Sequence, residues 1–406
     1  MSPKVLEIIL FLAAFPLLGQ IVSIDSLVTK NGITKLNLAS THPLGIYSTQ
    51  ISQNFREHAV KKTQLILQQQ SGNVFQPQVT AYLPEDPNIR QQFSSLPWFY
   101  RVFDYENQEE TPAQLYSYEF DAVIKVYRAT LLIPLAKKQD LHIGARGFMA
   151  VAGKNPWSIF SNDANIEWFH SNIAGGEDPF GRKFYGYDQV KFRYTDNRGR
   201  TLTMKRGEFF LGGIDATYNY YPANRGLSNK HIATNIGITA GWNTTRFNHS
   251  VDIGIQGAIQ KKWPFRDHQF LRFATGINVQ YNNVIDFKKN VSLGNNRIQG
   301  ATEMSLEWTT YTNRGNFNAL QIHYQLQTPF RKKEEKDYFH LKGDWESINA
   351  GWHNGYTTLL EYLSSWTLQY THGRKKINYH VYLKEDLSVN NAPDIESGIG
   401  ITYTVN

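Results

Sequence analysis

The sequence predicts an all-β protein, a transmembrane antiparallel β-barrel of about fourteen strands with long extracellular loops. Three observations carry that prediction. Apolar and polar residues alternate through most of the chain in segments of about 10–15 residues, whereas globular strands average about 5–6 and tilted spanning strands need roughly 9–11. The polar faces are filled with Gly, Asn, Gln, Thr and Ser, the composition of a packed lumen. Aromatic residues make up 14% of the chain, and they gather near segment ends, where rings would lie at the edges of a bilayer.

The N-terminus reads as an export signal. Lys4 supplies a positive start, Ile8 to Leu18 is an apolar run of 11 residues, and Gly19 precedes Gln20. As a helix that run would span only about 16 Å, well short of a hydrocarbon core about 30 Å thick. Residues 1–19 are therefore expected to be a signal peptide cleaved before Gln20. No apolar stretch reaches the 18 residues of a helical span. Residues 20–60 show no period and are expected to be a periplasmic lead-in or a plug segment. The barrel is expected over 61–406.

Within that region the period is two, so each strand presents one apolar face and one polar face. In 231–245, Ile232, Ile236, Ile238, Ala240 and Trp242 oppose Asn235, Gly237, Thr239, Gly241 and Asn243. In 250–262, Val251, Ile253, Ile255 and Ile259 oppose Asp252, Gln256 and Gln260. In 270–283, Leu271, Phe273, Ile277, Val279 and Tyr281 oppose Arg272, Asn278, Gln280 and Asn282. The pattern recurs through Met304, Leu306 and Trp308, through Leu320, Ile322 and Tyr324, and through Leu360 to Tyr370. It ends with Ile377 to Leu383 and Ile399 to Val405.

Ten such segments follow residue 207, and four precede it near 62–82, 117–135, 139–153 and 188–196. Fourteen is even, as single-chain bacterial barrels require. Twelve is the count if 188–196 belongs to a hairpin standing above the membrane. With fourteen, the long connections 83–116 and 154–187 fall outside. Short ones at Lys137-Lys138, 197–199, Thr244-Thr245 and His372-Gly373 fall on the periplasmic side, with 284–296 and 330–337 as exceptions there.

The export signal ending Leu17-Leu18-Gly19-Gln20, the patternless lead and the long amphipathic strands up to Val405 resemble outer-membrane β-barrel proteins of Gram-negative bacteria. The resemblance covers nearly the whole mature chain and is one of pattern, so no activity comes with it. Many such barrels end in an aromatic residue that the assembly machinery reads; here Tyr403 lies three residues inside Asn406. The resemblance implies the bacterial outer membrane as location, with outer-membrane lipid, lipopolysaccharide and the barrel assembly machinery as partners. Small solutes would be the cargo of a pore. A net charge of +7 is either a solubilising excess or a fit to an anionic lipid surface; nucleic acid is not expected of an exported chain. With no cysteine, disulfides and thiolate metal sites are excluded.

Two constellations could carry chemistry. The connection 154–187 concentrates Asp163, Glu167, His170, Glu177 and Asp178 among Trp, Phe and Gly, and His170, Glu167 and Asp163 are the candidate acid–base residues. Their spacing matches no metal signature, and no cofactor or metal is expected. In the lumen, Arg272, Glu303, Glu307 and His323 share the inward face, with Glu307 opposite either His323 or Gln321. Such a set can line a selective pore or cross-link a narrow lumen. The leading expectation is a non-enzymatic, porin-like pore, small-solute channel or structural membrane protein. The alternatives are an outer-membrane enzyme acting on lipid or lipopolysaccharide through the 154–187 loop, and a surface adhesin.

Overall fold

The computed structural model describes residues 30–38, 42–50, 52–83, 88, 102–103, 114–154, 158, 160–174, 186–196, 198–288, 290–312, 316–330, 341–342, 362–374, 376–385 and 395–405. The expected signal peptide, and Glu177 and Asp178, lie outside them. In chain order the strands are β1 (Gln64–Leu83), β2 (Val102–Phe103), β3 (Gln114–Ala136), β4 (Gln139–Val151), β5 (Lys191–Thr195), β6 (Thr201–Thr203), β7 (Phe210–Tyr220) and β8 (Ile232–Thr245). They continue with β9 (Asn248–Arg266), β10 (Gln269–Lys288), β11 (Ile298–Tyr311), β12 (Asn316–Gln327), β13 (Leu341–Lys342), β14 (Leu363–Arg374), β15 (Ile377–Glu385) and β16 (Ile395–Thr404).

Twelve of these close a ring. Antiparallel neighbours run β3-β4-β7-β8-β9-β10-β11-β12-β14-β15-β16, and β1 joins both ends by pairing with β16 and with β3. Closure leaves the wall no free edge. β5 and β6 form a hairpin on the upper part of β3, where Ser117–Asp121 pair with Thr195–Lys191. The twelve-strand alternative, with 188–196 as a hairpin off the wall, is the one that closes.

The second strand lost from the fourteen lies between β12 and β14, which pair directly with each other. There the described chain holds only β13, paired with β2 away from the wall. Counting two extra strands turned over every connection between them. β1, β4, β8, β10, β12 and β15 finish at the end where β3, β7, β9, β11, β14 and β16 begin, so the chain leaves Val151, Lys288 and Gln327, and makes its short turn after Thr245, at one and the same end. The expectation that 284–296, 197–199 and Thr244-Thr245 share the end of Lys137-Lys138 is thereby corrected, since β5 and β6 also stand at the start of β3, away from that turn; residues 331–337 of the expected connection 330–337 lie outside the described residues. At the opposite end, which receives Gln64 and Thr404, β3 and β4, β7 and β8, β9 and β10, β11 and β12, and β14 and β15 follow each other closely in sequence. We call the two the loop end and the termini end.

The alternation read from the sequence is the alternation of the wall. Along β8 the outward Ile236, Ile238 and Trp242 are exposed, and the inward Asn235, Thr239 and Asn243 are buried. Ile255 is 53% exposed and its neighbour Gln256 4%; Ile277 is 65% exposed and Asn278 6%. Apolar side chains thus cover the outside and amides fill the inside, the reverse of a soluble sheet protein.

The largest of the apolar clusters inside the wall lies toward one end. Near the loop end Phe120, Phe148, Phe192, Tyr194, Phe210 and Phe247 pack with Leu44, Ile46 and Tyr47 beneath the β5–β6 hairpin. Tyr47 meets Phe148 and Phe247 edge-on, with ring centroids 5.0 and 5.9 Å apart, a geometry that suits aromatic quadrupoles.

Candidate functional site

The interior of the barrel is occupied by the chain's own residues 30–38, 42–50 and 52–60. Lys30 sits at the termini end, where its backbone N–H donates to Tyr311 Oη at 2.8 Å. Pro43–Tyr47 make a 3-10 turn under the aromatic cluster near the loop end. The chain then returns, and the Val60 N–H donates to Asp140 Oδ2 at 3.0 Å shortly before β1 begins. The two limbs touch: Ile33 N–H donates to Phe55 O at 2.9 Å, and Asn31 Nδ2 to His58 O at 2.7 Å. Gly32 has φ +67 and passes so close to Phe55 and Arg56 that a Cβ would lie 2.2 Å from Phe55 O. Only glycine fits there.

Among the described residues no regular sheet ties this segment to the wall, so its buried backbone groups depend on side chains. Those side chains are the inward amides. Gln369 Nε2 donates to Thr34 O at 2.6 Å, Gln280 Nε2 to Thr49 O at 2.7 Å, Asn248 Nδ2 to Tyr47 O at 2.9 Å and Asn235 Nδ2 to Asn54 O at 2.7 Å. In the other direction, the Thr49 N–H donates to Asp252 Oδ2 at 3.1 Å. The inward glycines leave the room these contacts need. A Cβ on Gly241 would lie 2.1 Å from Thr49 Oγ1.

Two ion clusters hold the segment to β11. Lys30 pairs with Glu307, whose Oε1 is 3.6 Å from Arg272 Nη1. Arg272 Nε donates in turn to Glu57 Oε1 at 3.2 Å, so the cluster joins both limbs to the wall. Four residues above it on the same inward face, Glu303 pairs with Lys35, and its Oε2 lies 3.4 Å from His323 Nε2. Both carboxylates are fully buried. A buried charge needs a partner at hand, and here the partners come from a segment more than 260 residues earlier in sequence.

The lumen residues read from the sequence are therefore brought together, with distinctions the sequence left open. Arg272 stands directly across from Glu307 in the ladder. Glu307 faces Gln321, and His323 faces Ser305. Lys30, Lys35 and Glu57 were not read as part of this set. Their signal was indirect: two inward carboxylates with a single inward cation on the neighbouring strand, and charged residues in an otherwise patternless lead.

The loop candidates stand apart from this cluster. Helix α1 (Asp163–Phe169) begins after Asn162, whose Oδ1 accepts from Asn165 N–H at 2.8 Å. Asp163 accepts from Asn73 Nδ2 at 3.0 Å and from Asp188 N–H at 2.6 Å. Ser161 Oγ lies 2.6 Å from Ser71 Oγ, which also accepts from Lys125 Nζ at 2.8 Å. These bonds tie the loop to inward positions of β1 and β3. Glu167 is buried on the same helix. His170 opens a π turn (His170–Ala174), and its side chain lies outside the described residues. Among the described residues no group of three His, Asp or Glu could hold a metal ion.

Two cavities flank the lumenal segment, of about 50 and 90 Å³. Each is room for a few waters. Lys35, Asn37, Gln50 and Ser52 border both.

No protein-family model matches the chain, and no curated protein does. Solved structures similar to it include an outer-membrane channel from Pseudomonas putida F1, at 9% identity and TM-score 0.37, covering 86% of this chain and 98% of that one. The NanC porin is similar at 6% identity and TM-score 0.33, covering 70% and 94%. The β domain of the Bordetella autotransporter BrkA is similar at 6% and 0.34, covering 85% and 100%. These are likenesses of barrel outline, and nothing about cargo or partner passes from them to this chain.

Proposed function

We propose that the chain is an integral outer-membrane protein of a Gram-negative bacterium and works as a closed channel, with residues 30–60 as its internal gate. The observation that carries this reading is the pairing of Lys30 with Glu307 and of Lys35 with Glu303 inside a wall whose outer face is apolar. The apolar outside supports immersion in lipid. The polar interior supports a conduit, since a lumen lined by amides and carboxylates can take up water once the segment leaves it.

Away from Leu44, Ile46 and Tyr47 in the aromatic cluster, the gate is held by hydrogen bonds and ion pairs and by small apolar contacts, such as Ile33 and Phe55 on Ala258 and Ala274. Interactions of that kind can be exchanged for water, because each lost bond is replaced by a bond to solvent. The aromatic cluster at the loop end is the part of the closure that resists wetting. Small polar solutes are the cargo that such a lumen suits.

The test is a bilayer recording. Wild-type protein should be quiet, and Lys30→Gln/Lys35→Gln protein should show discrete conductance steps. Two silent proteins, both confirmed as folded barrels by heat-shifted gel mobility, would count against a channel.

A further inference from the structure

At the termini end the exposed charge is almost all of one sign. Among the described residues Lys61, Lys62, Lys137, Lys138, Arg225, Lys230, Arg266, Arg374 and Lys376 are exposed there, against Asp267 as the exposed acid. They come from the lead into β1 and from four separate turns, so they form a ring around the barrel rim. The loop end also carries exposed bases, among them Arg193, Arg198, Lys205, Arg206 and Arg297, but there acids stand beside several of the cations. There Lys154 pairs with Asp188 at 3.4 Å, Lys191 with Glu119 at 3.2 Å, Arg200 with Asp196 at 2.7 Å and Arg246 with Glu208 at 2.9 Å.

The ring is continuous with an aromatic and apolar belt. Leu135, Tyr220, Trp263, Phe265 and Tyr403 point outward on the last turns of wall before it, and Phe265 is 61% exposed. Two cations lie over belt rings: Lys261 Nζ is 5.2 Å from the Trp263 centroid, and Arg266 Cζ is 5.5 Å from that of Phe265. Amphipathic rings settle at headgroup depth, and long basic side chains there extend their charge toward phosphate. A soluble partner would instead find this belt already covered by lipid.

We infer that the ring at the termini end is a binding surface for the anionic headgroups of one membrane leaflet, phosphatidylglycerol-like phospholipids. The inference rests on the membrane reading of the barrel. If the termini are periplasmic, this is the phospholipid leaflet, and the ring fixes the depth at which the gate's entrance stands. Each basic side chain near an anionic surface contributes an attraction that a few ions' width of salt can screen.

The experiment uses full-length protein in phosphatidylcholine vesicles carrying trace spin-labelled phosphatidylglycerol or phosphatidylcholine. Flotation of the proteoliposomes reports insertion independently. The motionally restricted fraction should favour phosphatidylglycerol by about fivefold or more in wild type, and salt of about 0.5 M should erase the preference. Replacing Lys61, Lys62, Lys137, Lys138 and Arg266 by Gln should bring it close to parity. The same number of changes at Lys154, Arg193, Arg198, Lys205 and Arg206 should leave it in place. Inserted wild-type protein that holds both lipids equally would overturn the inference and leave an acidic soluble partner as the ring's occupant. Equal losses from the two variant sets would overturn it as well.

Discussion

Lys35, in a segment without secondary structure, is paired inside the barrel with Glu303 of β11, 268 residues further along the chain. Both side chains are almost inaccessible, at 5% and 1% exposure. Removing one member of a buried pair strands the other, a loss of about 3–5 kcal/mol in measured cases. Glu303→Ala should therefore loosen residues 30–60 while leaving the wall intact. Hydrogen exchange checks this: the amides of Ile33 and Leu36 should exchange faster, and those of β8 should not change. Equal protection throughout would show that the pair does not hold the segment.

Glycine at 241 is required by the segment and not by the strand. Gly241→Val would put a side chain where Thr49 now lies. The barrel should still assemble, because valine suits a strand, but residues 48–50 should be displaced and become cleavable by added protease. A variant as resistant as wild type would mean that the segment accommodates elsewhere.

Adjacent residues of one strand should respond oppositely to charge. Ile277→Arg places a cation on the apolar outer face, at a cost of about 2–4 kcal/mol near mid-membrane. Asn278→Arg places it in the lumen, where it disturbs the segment and spares the wall. Urea midpoints of the folded barrel should fall for the first and stay near wild type for the second. Equal falls would indicate a sheet buried on both faces.

These faces were legible because period two is a property of the strand alone. Ile255 and Gln256 could be assigned to outside and inside with no knowledge of any partner. Strand number was less legible, since 188–196 alternates as a spanning strand does and is instead short and paired to the top of β3. The lumenal segment was not legible as such. Its backbone bonds go to Gln369, Gln280 and Asn235, and contacts with side chains so far away impose no repeat on residues 30–60. The inward glycines of β8 and β10 were the trace it left, visible only as small residues on the polar face.

The loop end contains a carboxylate that should act as an acid latch. Burial alone would raise Asp196, but the amide of Ser292, the side chain of Arg200 and the amides of Arg200 and Arg198 all donate to it and hold it below the usual carboxylate value. A depressed folded value means stability that is present above the unfolded value of about 4 and lost as pH falls through the folded one. The junction of the β5–β6 hairpin with residue 292 should thus be pH-independent at neutrality and open in strong acid. Exchange at the Ser292 amide should rise below about pH 4 in wild type, and at all pH values in Asp196→Ala. A flat wild-type profile through that range would refute the latch.

The claim that the barrel is a channel closed by its own N-terminal segment is tested most directly by tethering that segment. The chain has no cysteine of its own, and a Cβ at position 241 would stand 2.7 Å from Thr49 Cβ, within about an ångström of disulfide spacing. Thr49→Cys and Gly241→Cys, added to Lys30→Gln/Lys35→Gln protein, give a gate that a reductant can release. In a planar bilayer the oxidised protein should be silent, and adding reductant should start discrete conductance steps. Equal conductance before and after reduction, with the disulfide confirmed by mass, would contradict the account.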